Sequence, residues 1–254
     1  MIESIRITDN KKTPVRYLSE IRRFRNGSEF GFSPDINVIV GENGSGKTTL
    51  LKIIESYCLV DKEMCDRGMY NCNLNGLFRG LDSGLLDGAE VYSDYDKNIF
   101  RLCHYKEKDN DMVNGDFDNF SLFFDQGQMS SGEKTLSQMR SLFKRMFGGK
   151  IPLNFDYEKK CGDREEYIEY IRTHRIVGEK WTVLMDEPDN NLGIGNIMSL
   201  YSILSFAHPQ CQMIVTIHNP LLIYALSKVP EVKMIEMSKG YLGKVGSFIK
   251  KMTK

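Results

Sequence analysis

The stretch that decides the fold is Ile36-Asn-Val-Ile-Val40, followed directly by Gly41-Glu-Asn-Gly-Ser-Gly46-Lys47-Thr48. The first five residues are mostly apolar and β-branched and lie between Pro34-Asp35 and a glycine, which predicts a buried strand. From Lys47 onward, apolar residues recur at spacings of three and four, which predicts an amphipathic helix. The sequence therefore predicts a strand, a glycine-rich turn and a helix in direct succession.

The turn satisfies the pattern GxxxxGK[ST] in the strand-to-helix context that this pattern requires. In such a loop, backbone N–H groups face a phosphate and the helix N-terminus adds a partial positive charge. Lys47 would then reach the β- and γ-phosphates, and the Thr48 hydroxyl would ligate Mg²⁺. We therefore expect ATP and Mg²⁺ at a P-loop made of Gly41, Glu42, Asn43, Gly44, Ser45, Gly46, Lys47, Thr48 and Thr49.

Two later apolar runs predict further strands of the same sheet. Residues 181–185 lead into Asp186-Glu187-Pro188, and residues 213–217 lead into His218, with helical spacing between the two runs. Apolar strands separated by helices predict an α/β fold with a mainly parallel sheet flanked by helices. At the end of a strand beside the P-loop, Asp186 would bind Mg²⁺ together with Thr48, and Glu187 would deprotonate the attacking water.

The ordered set of motifs resembles the ABC-type P-loop ATPases. The segment Met129-Ser130-Ser131-Gly132-Glu133 is similar to their signature sequence, and His218 is similar to their switch histidine. The resemblance implies an ATPase in which Glu187, His218 and Lys47 are catalytic. It also implies a small helical signature subdomain and a head-to-tail, ATP-dependent dimer, in which each ATP contacts four signature residues of the partner copy: Ser130, Ser131, Gly132 and Glu133.

The flanking residues are similar to the RecF/SMC/OLD-like branch (AAA_21/AAA_15 type) of these ATPases. The segment Asp186-Glu-Pro-Asp-Asn-Asn-Leu192 resembles the DEPExxLH stretch of OLD-like proteins, and Thr216-Ile-His218-Asn-Pro-Leu resembles their THSP element. A long coiled coil is not expected, because sustained heptads are absent between Thr48 and Ser130. The residues after His218 are too few for a Toprim nuclease domain.

The resemblance to this branch implies an ATP-dependent dimeric switch in bacterial antiphage defence or DNA maintenance. A separate effector protein, such as a nuclease or toxin, would be the partner, with nucleic acid as a possible ligand. Two other functions stay open: the nucleotide-binding subunit of an ABC transporter, and a non-hydrolysing ATP-sensing scaffold. The scaffold stays open because no glutamine occurs between Thr48 and Gln126 to match the family's Q-loop, for which His104 is a speculative substitute.

A further departure concerns the D-loop aspartate of transporter cassettes, where this chain has Gly193. Asp189 and Asn190 are the candidates for its role across a dimer interface.

A content of 41% hydrophobic and 27% charged residues is typical of globular proteins. The resemblance to ABC-type ATPases implies a single ATPase domain over residues 1–254. Within it, residues 82–125 hold eleven acidic side chains against four basic ones, which predicts an acidic, β-rich, antiparallel region. Residues 129–180 are expected to form the helical signature subdomain. Its insertion at 151–180 would be either a partner-binding element or a decorative surface helix.

Charge and hydropathy bound the location and the partners. Thirty-four basic residues balance thirty-four acidic ones, so any nucleic-acid contact would be a local patch, for which the Lys-rich segment after Lys228 is a weak candidate. No run of eighteen apolar residues and no secretory h-region occur, so we expect a cytoplasmic protein without a membrane partner. The six cysteines lack CxxC spacing and are expected to stay reduced.

Overall fold

The computed structural model describes residues 1–11, 20–59, 88–94, 100–106, 180–190, 192–205 and 211–253. The strands in these ranges are β1 (Ile2–Ile7), β2 (Glu29–Gly31), β3 (Ile36–Val40), β4 (Ala89–Ser93), β5 (Phe100–Lys106), β6 (Lys180–Asp186), β7 (Cys211–Thr216) and β8 (Val232–Glu236). The α-helices are α1 (Lys47–Leu59), α2 (Ile194–Leu204), α3 (Pro220–Leu226) and α4 (Tyr241–Met252).

A five-stranded sheet in the order β5-β6-β7-β3-β8 forms the centre of the fold, and every neighbouring pair in it is parallel. A second sheet, in the order β2-β1-β4, is antiparallel. The predicted fold class is therefore confirmed, with a parallel sheet flanked by helices and an antiparallel β region. The predicted strand at 36–40 and the helix from Lys47 are both present.

The parallel sheet is covered on both faces. On β3, Ile36, Val38 and Val40 belong to a buried cluster that includes residues of α2, α3 and α4. Ile39, on the opposite face of the strand, belongs to a second cluster, with residues of α1 and the antiparallel sheet. Because both faces are covered, β3 is apolar nearly throughout rather than alternating with polar residues.

A buried glutamine joins the two sheets. The Nε2 atom of Gln212 on β7 donates to the carbonyl oxygens of Ile2 and Ser33, at 2.7 Å each. Its Oε1 atom accepts from the backbone N–H of Ile2 at 2.8 Å and from the Thr182 hydroxyl at 3.2 Å. The amide is thereby satisfied although Gln212 is fully buried.

The acidic region differs in part from the expectation. Strand β4 is antiparallel to β1, but β5 pairs in parallel with β6 along its whole length, from Phe100 opposite Lys180 to Lys106 opposite Asp186. The strand at 100–106 therefore belongs to the main sheet, at one end of the order of the described strands, and pairs in parallel and not antiparallel. Side-chain alternation has the same period of two in both sheet types, so it does not reveal the strand direction.

Other expectations lie outside the described residues. Of the helical signature subdomain at 129–180, with its insertion, only residue 180 is described, and it begins β6. In the acidic region 82–125, the structure describes residues 88–94 and 100–106.

The Lys-rich segment after Lys228 contains β8 and α4, two elements that were not predicted from the sequence. In the ranges that are described, no helix has the length and apolar character to cross a bilayer.

Candidate functional site

The predicted P-loop runs from the end of β3 into the first turn of α1 and borders a cleft of about 1400 Å³. Residues 42–49 of the loop line this cleft. Glu187, which follows β6, and His218, which follows β7, line it as well. Strand β7 is hydrogen-bonded to both β3 and β6, so the parallel order brings these three strand ends to one edge of the sheet.

Two glycines of the loop have left-handed backbone conformations, with φ of 76° at Gly44 and 95° at Gly46. A Cβ atom on Gly46 would lie 2.4 Å from Cε2 of Phe24, a core residue that is 1% exposed. A Cβ atom on Gly44 would meet nothing within 4 Å. Gly46 is therefore required for two reasons, its backbone conformation and its close contact with Phe24.

The Lys47 ammonium is held inside the loop. Its Nζ atom donates to the carbonyl oxygens of Gly41 at 3.0 Å and Glu42 at 3.2 Å, and the residue is 5% exposed. Burial lowers the pKa of Lys47, while the negative charges of Glu187 and Asp186 act in the opposite direction. The loop thus places the Lys47 ammonium near the carboxylates of Glu187 and Asp186, beside the expected phosphate site.

Thr48 and Asp186 are in direct contact. The Thr48 hydroxyl donates to Oδ1 of Asp186 at 3.1 Å, and the Thr216 hydroxyl donates to the same oxygen at 2.8 Å. A carboxylate and a hydroxyl side by side are the oxygen ligands that Mg²⁺ prefers. Within the described residues, the buried Ser45 hydroxyl has no hydrogen-bond partner. An unpaired hydroxyl, two left-handed glycines and a buried lysine in one loop fit a phosphate group with its Mg²⁺.

Glu187 and His218 form a pair across the ends of β6 and β7. The Nε2 atom of His218 lies 2.7 Å from Oε1 of Glu187, and the two side chains are 32% and 39% exposed, respectively. Glu187 has a φ of 53°, a left-handed conformation that costs a non-glycine residue about 1–2 kcal/mol. Its backbone N–H donates to the Thr216 hydroxyl at 2.8 Å. Strain held in place by a neighbouring strand is typical of functional sites.

Asp189 is also tied to the loop after β7. Its Oδ2 atom accepts from the backbone N–H groups of His218, at 2.8 Å, and Asn219. Asp189 is 6% exposed, and its side chain is directed to the loop after β7, whereas Asn190 is exposed to solvent. Of the two D-loop candidates, Asn190 is therefore the one at the surface. The contact between Asp189 and the β7 loop was not predicted, because only the pairing of β6 with β7 brings the two loops together.

Elements near the carboxyl terminus support the start of the P-loop. The backbone N–H of Glu42 donates to the Ser238 hydroxyl at 3.1 Å, and the Glu42 carboxylate accepts from Lys244 of α4 at 2.6 Å. This hydrogen bond and the positive charge of Lys244 lower the pKa of Glu42. Ser238 and Lys244 were missed because they lie in the segment that looked like a basic surface tail.

The structure thus brings together the predicted P-loop, Asp186, Glu187 and His218. The predicted signature residues Ser130, Ser131, Gly132 and Glu133 lie outside the described residues. His104 lies on β5 opposite Leu184 in register, and its side chain is not among those described.

A family model described as an AAA domain matches residues 17–80, which include β3, the P-loop and α1. No curated protein matches the chain. Among solved structures, one that matches is the crystal structure of a nucleotide-free ATP-binding cassette from an ABC transporter. It is 12% identical, covers 87% of this chain and 88% of its own, and has a TM-score of 0.37, which is too low to assign a function. The AAA match and the loop geometry together support a nucleotide-binding P-loop ATPase domain.

Proposed function

We propose that this protein hydrolyses ATP at the cleft beside the P-loop. The observation that carries the proposal is the contact of Glu187 with His218 at 2.7 Å, in the same cleft as Lys47 and Thr48. A chain that only bound nucleotide would have no need for a paired carboxylate beside the phosphate cradle. The pair therefore favours hydrolysis over the alternative of a non-hydrolysing scaffold.

In the proposed reaction, Lys47 and the loop N–H groups bind the β- and γ-phosphates. Thr48 and Asp186 hold Mg²⁺, which when bound neutralises charge on the phosphate oxygens. Glu187 accepts the proton of the attacking water at Oε2, because His218 occupies Oε1. The water oxygen bonds to the γ-phosphorus, the bond to the β–γ bridging oxygen breaks, and ADP and phosphate are released. His218 keeps the Glu187 carboxylate oriented through this step.

The proposed assembly is a head-to-tail dimer with ATP between two copies. The signature segment of one copy, Ser130, Ser131, Gly132 and Glu133, would face the ATP bound by the other, with Ser131 and the Gly132 amide on its γ-phosphate, as the resemblance to ABC-type ATPases implies. Because those contacts exist only in the closed pair, ATP would favour the dimer, and hydrolysis would remove that preference. Such a cycle is a switch that a partner protein can detect.

The proposed biological role is antiphage defence or DNA maintenance together with a separate effector such as a nuclease or toxin. Its support is the likeness of the segments 186–192 and 216–221 to RecF/SMC/OLD-type proteins. A transporter subunit is the rival role, and co-purification with a membrane protein would favour it.

Phosphate release from Mg·ATP tests the proposed activity. We expect turnover by the wild type, loss of turnover with retained ATP binding in Glu187→Gln, and loss of ATP binding in Lys47→Ala. Lys250→Ala is the matched control, since Lys250 is an exposed residue of α4 that does not line the cleft. Tight ATP binding by Lys47→Ala would show that the phosphate site lies elsewhere, and unchanged turnover in Glu187→Gln would exclude Glu187 as the base.

A further inference from the structure

The loops that follow β6 and β7 exchange hydrogen bonds in both directions. From β7, the Thr216 hydroxyl accepts the backbone N–H of Glu187 at 2.8 Å. From the β6 loop, Oδ2 of Asp189 accepts the backbone N–H groups of His218 and Asn219. The backbone of Glu187 is therefore held by a side chain at the end of β7, and the backbone of His218 by a side chain from the loop after β6.

Packing alone does not explain why the Asp189 carboxylate is buried. The residue is 6% exposed, and its Oδ1 atom has no hydrogen-bond partner within the described residues. Burial raises the pKa of Asp189, while the hydrogen bonds from the Asn219 and His218 amides lower it. Burying a carboxylate with one oxygen unpaired costs free energy of folding. We therefore expect Asp189 to have a role that a smaller or apolar residue could not fill.

The position of Asp189 indicates that role. His218 N–H and Asn219 N–H are consecutive donors at the point where the chain leaves β7 and enters α3. Both point to one oxygen of Asp189, which removes the freedom of this short segment to rotate. The Asn219 side chain holds the other end of the segment, because its Oδ1 accepts from Leu221 N–H and Leu222 N–H of α3.

We propose that Asp189 is a positioning residue for ATP hydrolysis, which fixes the backbone of His218 so that its imidazole meets the Glu187 carboxylate. This inference rests on the proposed function. Asp189 does not line the cleft and accepts no hydrogen bond from Lys47, Thr48 or Ser45 within the described residues. Burial lowers the pKa of Lys47, and the negative charge of Asp189 opposes this after those of Glu187 and Asp186, so Asp189 acts on that lysine only through space. Its hydrogen bonds act on the His218 loop, so we expect its loss to lower the rate of the chemical step more than the affinity for nucleotide.

The test compares the kcat and the ATP Kd of Asp189→Ala with those of Asp9→Ala. Asp9 is the control because its Oδ1 also accepts a backbone N–H group, that of Lys11 at 3.0 Å, in a turn that does not line the cleft. We expect Asp189→Ala to lower kcat about 10- to 100-fold, since a displacement of about 1 Å at a catalytic group has an effect of this size. Its ATP Kd should stay within about twofold of the wild type, as for a loss confined to the transition state.

Asp189→Asn is the conservative variant. Its amide oxygen can accept both N–H groups, so we expect it to recover much of the kcat that Asp189→Ala loses. If Asp189→Ala and Asp9→Ala lower kcat equally, or if Asp189→Ala weakens ATP binding as much as it lowers kcat, Asp189 has only a structural role and the proposal is overturned.

Amide hydrogen exchange separates this inference from the proposed function, because it does not depend on turnover. In the wild type, the His218 and Asn219 amides should exchange slowly, and Asp189→Ala should accelerate both. Fast exchange of both amides in the wild type would overturn the proposal that Asp189 fixes the backbone of His218, even if the protein hydrolyses ATP. If the wild type has no ATPase activity, the proposed function fails, and slow exchange that Asp189→Ala abolishes still supports Asp189 as the residue that holds this loop.

Discussion

The side chain of Gln212 on β7 hydrogen bonds to both backbone groups of Ile2 on β1, a residue 210 positions earlier in the chain. Both residues are buried, and these bonds attach the antiparallel sheet to the face of the parallel sheet that also packs against α1. The core on that face of the parallel sheet thus depends on the hydrogen bonds between Gln212 and Ile2 as well as on apolar packing.

Gln212→Leu should therefore destabilise the protein strongly. It leaves the N–H and C=O of Ile2 buried without their side-chain partner, at a cost of about 1–3 kcal/mol for each unsatisfied group. We expect a loss of roughly 3 kcal/mol in the free energy of unfolding, measured by urea denaturation. Thr182→Val is the control, since it removes only the 3.2 Å hydrogen bond to Gln212 and should cost much less. Equal losses in the two variants would contradict this account.

Alanine substitutions at two P-loop glycines should differ in stability. Gly44→Ala places a Cβ atom in open space and costs only the left-handed conformation, about 1 kcal/mol. Gly46→Ala carries the same conformational cost, and its Cβ also meets Phe24, which adds about 1–3 kcal/mol of overpacking. Thermal unfolding of both variants measures the difference. A Gly46→Ala protein as stable as Gly44→Ala would mean that Phe24 does not pack beneath the loop.

Glu187→Gln should accumulate as an ATP-loaded dimer. Without the carboxylate that takes the proton from water, the γ-phosphate stays intact and the contacts between the copies persist. Light scattering should show a doubled mass with Mg·ATP and a monomer without it. Glu3→Gln is the control, because Glu3 is an exposed residue of β1 outside the cleft. A variant that stays monomeric with Mg·ATP would contradict the nucleotide-dependent dimer.

Cys211 should resist alkylation in the folded protein. The residue is 2% exposed, and burial raises the pKa of its thiol to about 12, so almost no thiolate is present near neutral pH. Iodoacetamide labelling followed by peptide mapping should show Cys211 unmodified in buffer and modified in urea. Peptide mapping is needed because the chain has six cysteines. Rapid labelling of Cys211 in buffer would show that β7 opens or is not buried.

Local sequence determined the elements that carry the P-loop. The β-branched run at 36–40, the glycines after it and the apolar spacing from Lys47 each specify their own backbone, so the strand, turn and helix could be predicted from neighbours in the chain. The apolar strands before Asp186 and His218 were predictable for the same reason, since strands buried on both faces have few polar residues. These motifs specified which residues belong to the site.

Only the tertiary structure decided how those residues meet. The order β5-β6-β7-β3-β8 places the ends of β6 and β7 side by side. This brings Glu187 to His218 and allows the Thr216 hydroxyl to bond to both Asp186 and Glu187. It also brings the Asp189 carboxylate to the backbone of His218. The same holds for Gln212 with Ile2 and for Glu42 with Lys244. Such contacts join polar groups far apart in the chain, and a single polar side chain carries no periodic pattern, so its partner is set by strand order and register and not by local sequence.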